Sequence, residues 1–178
     1  MQIPIVYEDE ALLVIYKPAG LVVNRAESVK GETLQDWGER YLSFPQKRES
    51  IKKKTGSPIG SGMTDDMDDF YKRSGIVHRL DKDTSGILII AKTPQAFTNL
   101  QFQFKERKIC KKYKTLVHGQ VKPKTGEIRA SVGRLPWNRE RFGVLAGGRE
   151  AVTSYSVIDF YQKRENILSL LDVFPQTG

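Results

Sequence analysis

The sequence predicts an α+β fold, a mixed and mainly antiparallel sheet with flanking helices packed against it. Short β-branched runs recur in pairs joined by turn residues, which is the pattern of hairpins. Two stretches carry helix-start chemistry ahead of an apolar face. No apolar run approaches the ~20 residues that a membrane helix needs, and 178 residues suffice for one domain with its own core.

Residues 3–9 (IPIVYED) and 11–17 (ALLVIYK) read as one hairpin turning around Glu8-Asp9-Glu10. Pro18-Ala19-Gly20 forces a turn, after which LVVN resumes an extended path. Thr33 is a candidate N-cap for the helix LQDWGERYL, with Leu34, Trp37 and Tyr41 on one face. Residues 43–74 differ. They hold the basic run Lys47, Arg48 and Lys52–Lys54, the segment TGSPIGSG, and an acidic cluster from Asp65 to Asp69, with almost no apolar periodicity. This composition reads as a mobile insertion. GILIIAK, from residue 86, is a nearly continuous apolar strand expected to be buried on both faces.

Thr93 then Pro94 makes a second N-cap followed by proline in the first turn, with Phe97, Leu100, Gln101 and Phe104 on the inward face. KKYKTLVHGQV alternates as a strand, and Lys124-Thr125-Gly126 turns it into EIRASVGRL. Residues 137–149 read as a polar, arginine-rich loop. AVTSYSVIDFY and ILSLLDVF form a last hairpin around Arg164-Glu165-Asn166.

The charge balance narrows the partners. Lys and Arg number 29 against 21 Asp and Glu, a net +8, which favours a polyanion such as nucleic acid. The one cysteine, Cys110, rules out an intrachain disulfide and is expected to be half-buried at a helix–strand junction. With only His78 and His118 beside it, a closed zinc site lacks ligands. MQIPIVYEDE has neither a basic start nor an apolar core, so a cytoplasmic, membrane-free location is expected.

GIVHRLDKDTSGILIIAK, residues 75–92, carries the chemistry. It sets a cation, a carboxylate, two hydroxyls and a glycine between apolar strands. Arg79 helps keep Asp81 ionised, making Asp81 a candidate nucleophile or base. The alternative is a turn in which Asp81 and Asp83 satisfy backbone amides. Thr84 and Ser85 bond the local backbone, and Gly86 permits a sharp entry into the strand. His78 alternates with Leu80 and reads as a satisfied, half-buried histidine.

This segment closely resembles the His-Arg-Leu-Asp and Thr-Ser-Gly signature of RluA-type RNA pseudouridine synthases. Tyr16-Lys17-Pro18-Ala19-Gly20 is similar to that family's Lys-Pro-x-Gly motif, and QFQFKERKICKKYKTLVHGQV to its Lys-x-Tyr strand after a helix. The stretch from Gly126 to Ile158 is similar to the family's later region, so the resemblance spans roughly residues 3–42 and 75–178. It implies the pseudouridine synthase catalytic fold over residues 1–178, and isomerisation of uridine to pseudouridine in structured RNA. Ribosomal RNA is the first expectation and transfer RNA the second. No cofactor and no metal are implied.

By resemblance Asp81 is the essential carboxylate, and Arg79 holds the space left by a flipped base or contacts a neighbouring phosphate. Tyr113 stacks on the uracil, and Leu171 lines the pocket wall. Arg134, Arg139, Arg141 and Arg149 face RNA, and Lys17 is placed with them as an RNA contact that also shapes the turn beneath the site. Two departures stand out. The chain stops at Thr177-Gly178, where the family's last motif begins, so the catalytic domain is expected to be incomplete at its C-terminus and to lack the basic partner of Asp81. The 43–74 insertion is longer and more polar than the family's usual connection. Two other readings stay open: a non-catalytic RNA-binding remnant, and a carboxylate-dependent hydrolase using Asp81 and Asp83. A monomer is the simplest expectation.

Overall fold

The computed structural model describes residues 1–43, 63–164 and 166–177, in two compact units, Met1–Glu106 and Arg107–Gly178. In the first unit β1 (Ile5–Glu8), β2 (Leu12–Lys17) and β3 (Gly86–Ala91) form an antiparallel sheet in that order. The opening hairpin turns where the sequence places it. The Asp9 carboxylate accepts from the amides of Ala11 and Leu12 at 2.8 and 2.7 Å, an aspartate mimicking a backbone turn. Strand alternation then sends Leu13, Ile15 and Lys17 to the buried side of β2. Leu13 faces Ile90 and Ile15 faces Leu88 across the β2–β3 pair. These four pack with Leu34 and Trp37 in the main core cluster.

Helix α1 (Leu34–Tyr41) starts at the expected cap. The Thr33 hydroxyl accepts from the Asp36 amide at 3.2 Å, and the Asp36 carboxylate accepts from the Thr33 amide at 2.8 Å, a complete capping box. Trp37 and Tyr41 stack at 5.0 Å. Arg25 pairs with Asp36 and Glu39 on the outer side. Burial pushes the Asp36 carboxyl up, but hydrogen bonds from Thr33 and Arg25 outweigh it and hold Asp36 below its ordinary value. The hydrogen bond from Arg25 is the main force holding Glu39 down.

Groups with depressed folded pKa stabilise fully above their ordinary values of 3.8 and 4.5, and lose that contribution as pH falls through the folded values. Between about pH 6 and about pH 3, the urea midpoint should therefore fall less in Arg25→Gln than in the wild type. Equal slopes would refute the pairing.

Part of the stretch with no expected element is a helix. Residues 44–62 of the expected insertion lie outside the described residues, but α2 (Met63–Lys72) follows them. Phe70 is buried and meets the Phe97 ring edge-on at 5.6 Å. One buried aromatic in an acidic sequence leaves no period to read. Helix α3 (Pro94–Lys105) begins as expected, with the Thr93 hydroxyl accepting from the Ala96 amide at 3.2 Å. Its Phe97 is fully buried.

β3 departs from expectation. Leu88 and Ile90 are buried, but Ile87 is 49% exposed opposite Tyr16, itself 44% exposed. The three-stranded sheet buries one face, so an unbroken apolar run does not imply two covered faces.

Gly75 holds α2 against β3. Its φ is +72°, a Cβ there would lie 2.0 Å from the Ala91 carbonyl oxygen, and its own carbonyl accepts from the Ala91 amide at 2.8 Å. Gly75→Ala should destabilise by about 3 kcal/mol or more, from backbone strain plus overpacking. An unchanged urea midpoint would show that this contact is not needed.

The second unit is a five-stranded sheet of β4 (Tyr113–His118), β5 (Thr125–Leu135), β6 (Asn138–Val144), β7 (Arg149–Lys163) and β8 (Asn166–Pro175). The order is β4-β8-β7-β5-β6, each neighbour antiparallel. The arginine-rich stretch expected as a loop is β6, an edge strand with almost every side chain exposed. With no buried face, it shows no apolar alternation. Cys110 is exposed rather than half-buried, because it precedes β4 outside either core cluster. Among the described residues, no helix is long and apolar enough to cross a membrane.

Candidate active site

In the first unit the loop between Ile76 and β3 presents the charged residues. Ile76 bridges to Ile90, and Leu80 is buried. Arg79 and Asp81, on either side of Leu80, are exposed. The Asp81 carbonyl accepts from the Thr84 amide at 3.1 Å, closing a turn whose exit is Gly86 at φ +143°. His78 is structural: its Nε2 accepts from the Ile89 amide at 3.0 Å, and its ring stacks on Phe104 at 4.7 Å.

Lys17 corrects the expectation of an RNA contact. Its side chain is fully buried, and its ammonium donates to the carbonyls of Pro18, Leu21 and Lys82 at 3.0, 2.8 and 3.0 Å. Alternation along β2 directs it inward, where the turn carbonyls meet it. The Lys82 carbonyl also accepts from the Gly20 amide at 2.8 Å. The turn after β2 and the Asp81 loop are thus tied through one cation. Burial pushes the Lys17 pKa down, while Asp83 and then Asp81 pull it back up. A positive charge therefore sits within electrostatic reach of both carboxylates.

In the second unit Tyr113 pairs with Val173, and Thr115 pairs with Leu171. Strand alternation therefore puts Tyr113 and Leu171 on one face of the sheet. Val173 faces Tyr155, and Gly126 on β5 faces Tyr155 in turn. Arg134, an even number of residues along β5 from Gly126, belongs to that same face at its exposed end. Arg134 already has partners: it donates to the Arg139 carbonyl at 2.5 Å and lies 4.8 Å from the Phe142 ring. Arg139 and Arg141 are exposed on β6 and form no ion pair among the described residues. On the opposite face Asp172 pairs with Lys112 and Lys114 at 2.7 and 3.1 Å.

The sequence reading missed two cations. A cleft of about 390 Å³ in this unit is lined by Arg107, Arg129, Arg149, Glu150, Gln176 and Thr177, among others. Arg129 is anchored to Glu127 at 2.7 Å, whereas Arg107 and Arg149 have no ion pair among the described residues. Pairing of β5 with β7 brings Arg129 and Arg149 together, and Arg107, between α3 and β4 in the sequence, joins them at the cleft. Among the described residues, no group of three or more His, Cys, Asp or Glu side chains is placed to hold a metal ion.

A family profile described as RNA pseudouridylate synthase matches residues 11–178. The chain is 40% identical over 176 residues to an uncharacterised RNA pseudouridine synthase of Aquifex aeolicus (strain VF5), covering 99% of this chain and 49% of that protein. It is 35% identical over 162 residues to ribosomal large subunit pseudouridine synthase D of Pseudomonas aeruginosa, covering 91% of this chain and 43% of the relative. The chain thus spans about half the length, or less, of these curated relatives. Among solved structures, human RNA pseudouridylate synthase domain containing 1 superposes with a TM-score of 0.69 at 22% identity, over 99% of this chain and 60% of that one.

Proposed function

Because the chain belongs to the RNA pseudouridylate synthase family, we propose that its protein isomerises uridine to pseudouridine in RNA with Asp81 as the acting carboxylate. The reaction breaks the bond from ribose C1′ to uracil N1 and forms one from C1′ to C5. The C5 proton leaves and N1 gains one. Composition is unchanged, so the chemistry needs no redox partner. It needs a carboxylate held beside an unstacked nucleotide.

The observation that carries this reading is the Asp81 loop. Its carboxylate is exposed at a turn closed by the Thr84 amide, on a loop tied by Lys17 to the turn at Gly20. Among the described residues the Asp81 carboxylate makes no hydrogen bond or ion pair, which leaves it available to a substrate. Arg79, exposed next to Leu80, offers a guanidinium plane for the place of the flipped base or for its phosphate. Tyr113 and Leu171, sharing a sheet face, supply a stacking ring and an apolar wall. Arg139, Arg141 and the arginines of the 390 Å³ cleft offer contacts to phosphates. We place the target in ribosomal RNA, since relatives at 35% identity carry a large-subunit name; transfer RNA is the second choice.

The test is tritium release from RNA labelled at uracil C5, with pseudouridine identified in the product, for ribosomal and transfer RNA side by side. Release from the wild type without added cofactor, lost in Asp81→Asn, supports the reading. RNA binding with no release would point instead to a non-catalytic RNA-binding role. Free uracil would point to a hydrolase.

A further inference from the structure

We propose that the turn between β5 and β6 is a base-stacking finger, in which Trp137 stacks on an unpaired nucleotide other than the target uridine and Arg139 and Arg141 hold the adjoining phosphates. This rests on the reading that the chain acts on RNA, and goes beyond it by assigning a second contact away from Asp81.

Leu135 faces Asn138 across the hairpin, so Pro136 and Trp137 are a two-residue turn. Proline sets φ at the first position, and the indole that follows stands 77% exposed at the tip. Tryptophan ordinarily hides most of its surface, and the chain's other one, Trp37, is only 8% exposed. The tip is also braced. Arg134 donates across the turn to the Arg139 carbonyl at 2.5 Å and rests on the Phe142 ring at 4.8 Å. A rigid aromatic loses little freedom on stacking.

Charge selects the occupant. Residues 129–149 hold five arginines against one glutamate, half of the chain's net charge of +8. Arg139 and Arg141 lie just past the tip, in the irregular stretch of β6 where Leu135 faces Asn138 but Arg134 faces Phe142, and both are exposed and without ion pairs among the described residues. An apolar protein partner gains little from such a rim, whereas single-stranded RNA takes both features, bases on the ring and phosphates on the guanidiniums. β6 is the edge of its sheet, so no further strand of this sheet lies beside the tip.

Tryptophan emission reads the contact directly, because Trp37 is in the core. The probes are an RNA stem–loop with a uridine-containing loop and a blunt duplex of equal length. The stem–loop should quench Trp137 and the duplex should not. Trp137→Ala should weaken stem–loop binding by about tenfold without changing its salt slope. Trp137→Phe should stay within about threefold of wild type, since a ring remains. Arg139→Gln should instead lower the salt slope by about one.

Equal quenching by the duplex, or unchanged affinity in Trp137→Ala, overturns the finger while leaving uridine isomerisation intact if tritium release persists. A wild-type protein that neither binds nor modifies RNA overturns both. Concentration-dependent dimers abolished by Trp137→Ala would assign the tip to a second copy of the chain and overturn the proposal.

Discussion

Asp81→Asn should lower tritium release from RNA labelled at uracil C5 by about a thousandfold or more, with an unchanged urea midpoint. The two results belong together because of where the side chain lies. Asp81 is exposed, and its carbonyl, not its carboxylate, closes the turn to Thr84. Asparagine keeps the shape and removes only the charge. The neighbouring Asp83→Asn serves as control, since Asp83 is also exposed and sits on the same loop; it should retain most of the rate. Equal losses in both variants would favour the reading of a turn whose aspartates only hold the backbone. Full activity in Asp81→Asn would sink the assignment.

Lys17→Met should destabilise the protein by about 2–4 kcal/mol. The substitution nearly conserves volume, so the effect is not a cavity. It strips three carbonyls, that of Leu21 buried and those of Pro18 and Lys82 partly buried, of their ammonium donor. Each unsatisfied buried acceptor costs about 1–3 kcal/mol. Two circumstances reduce the sum: the Lys82 carbonyl keeps the Gly20 amide, and the desolvation that pushes the Lys17 pKa down disappears with the charge. For a chain of this size, thermal unfolding should fall by roughly 5–15 °C. Because the lost bond reaches the loop carrying Asp81, tritium release should drop even at temperatures where the variant remains folded. A variant as stable as wild type would show the buried cation to be dispensable. A stable fold with reduced activity would assign Lys17 to positioning the loop alone.

Much of the local structure was legible because local chemistry decides it. The turn at Asp9, the caps Thr33 and Thr93, and the hairpin at Arg164 depend on residues within three or four positions of one another. Motif order identified Asp81 as the residue to watch, and His78 read correctly as a satisfied side chain. The misses share a cause. Helix α2 rests on Phe70 meeting Phe97, and strand β6 on its pairing with β5. Neither leaves a periodic apolar signal, because one has a single buried aromatic and the other no buried face.

The sequence by itself determined the opening and closing hairpins, the starts of α1 and α3, the basic character and the family motifs, since these are written in residue types and short spacings. Only the tertiary structure decided that Lys17 is a buried strut and not a surface cation, that Arg107, Arg129 and Arg149 line one cleft, and that Tyr113 and Leu171 share a sheet face. The reason is physical. Whether a charged side chain meets water, a carbonyl or another charge depends on groups tens of residues away, such as the Lys82 carbonyl 65 positions from Lys17, and strand pairing is what brings them together.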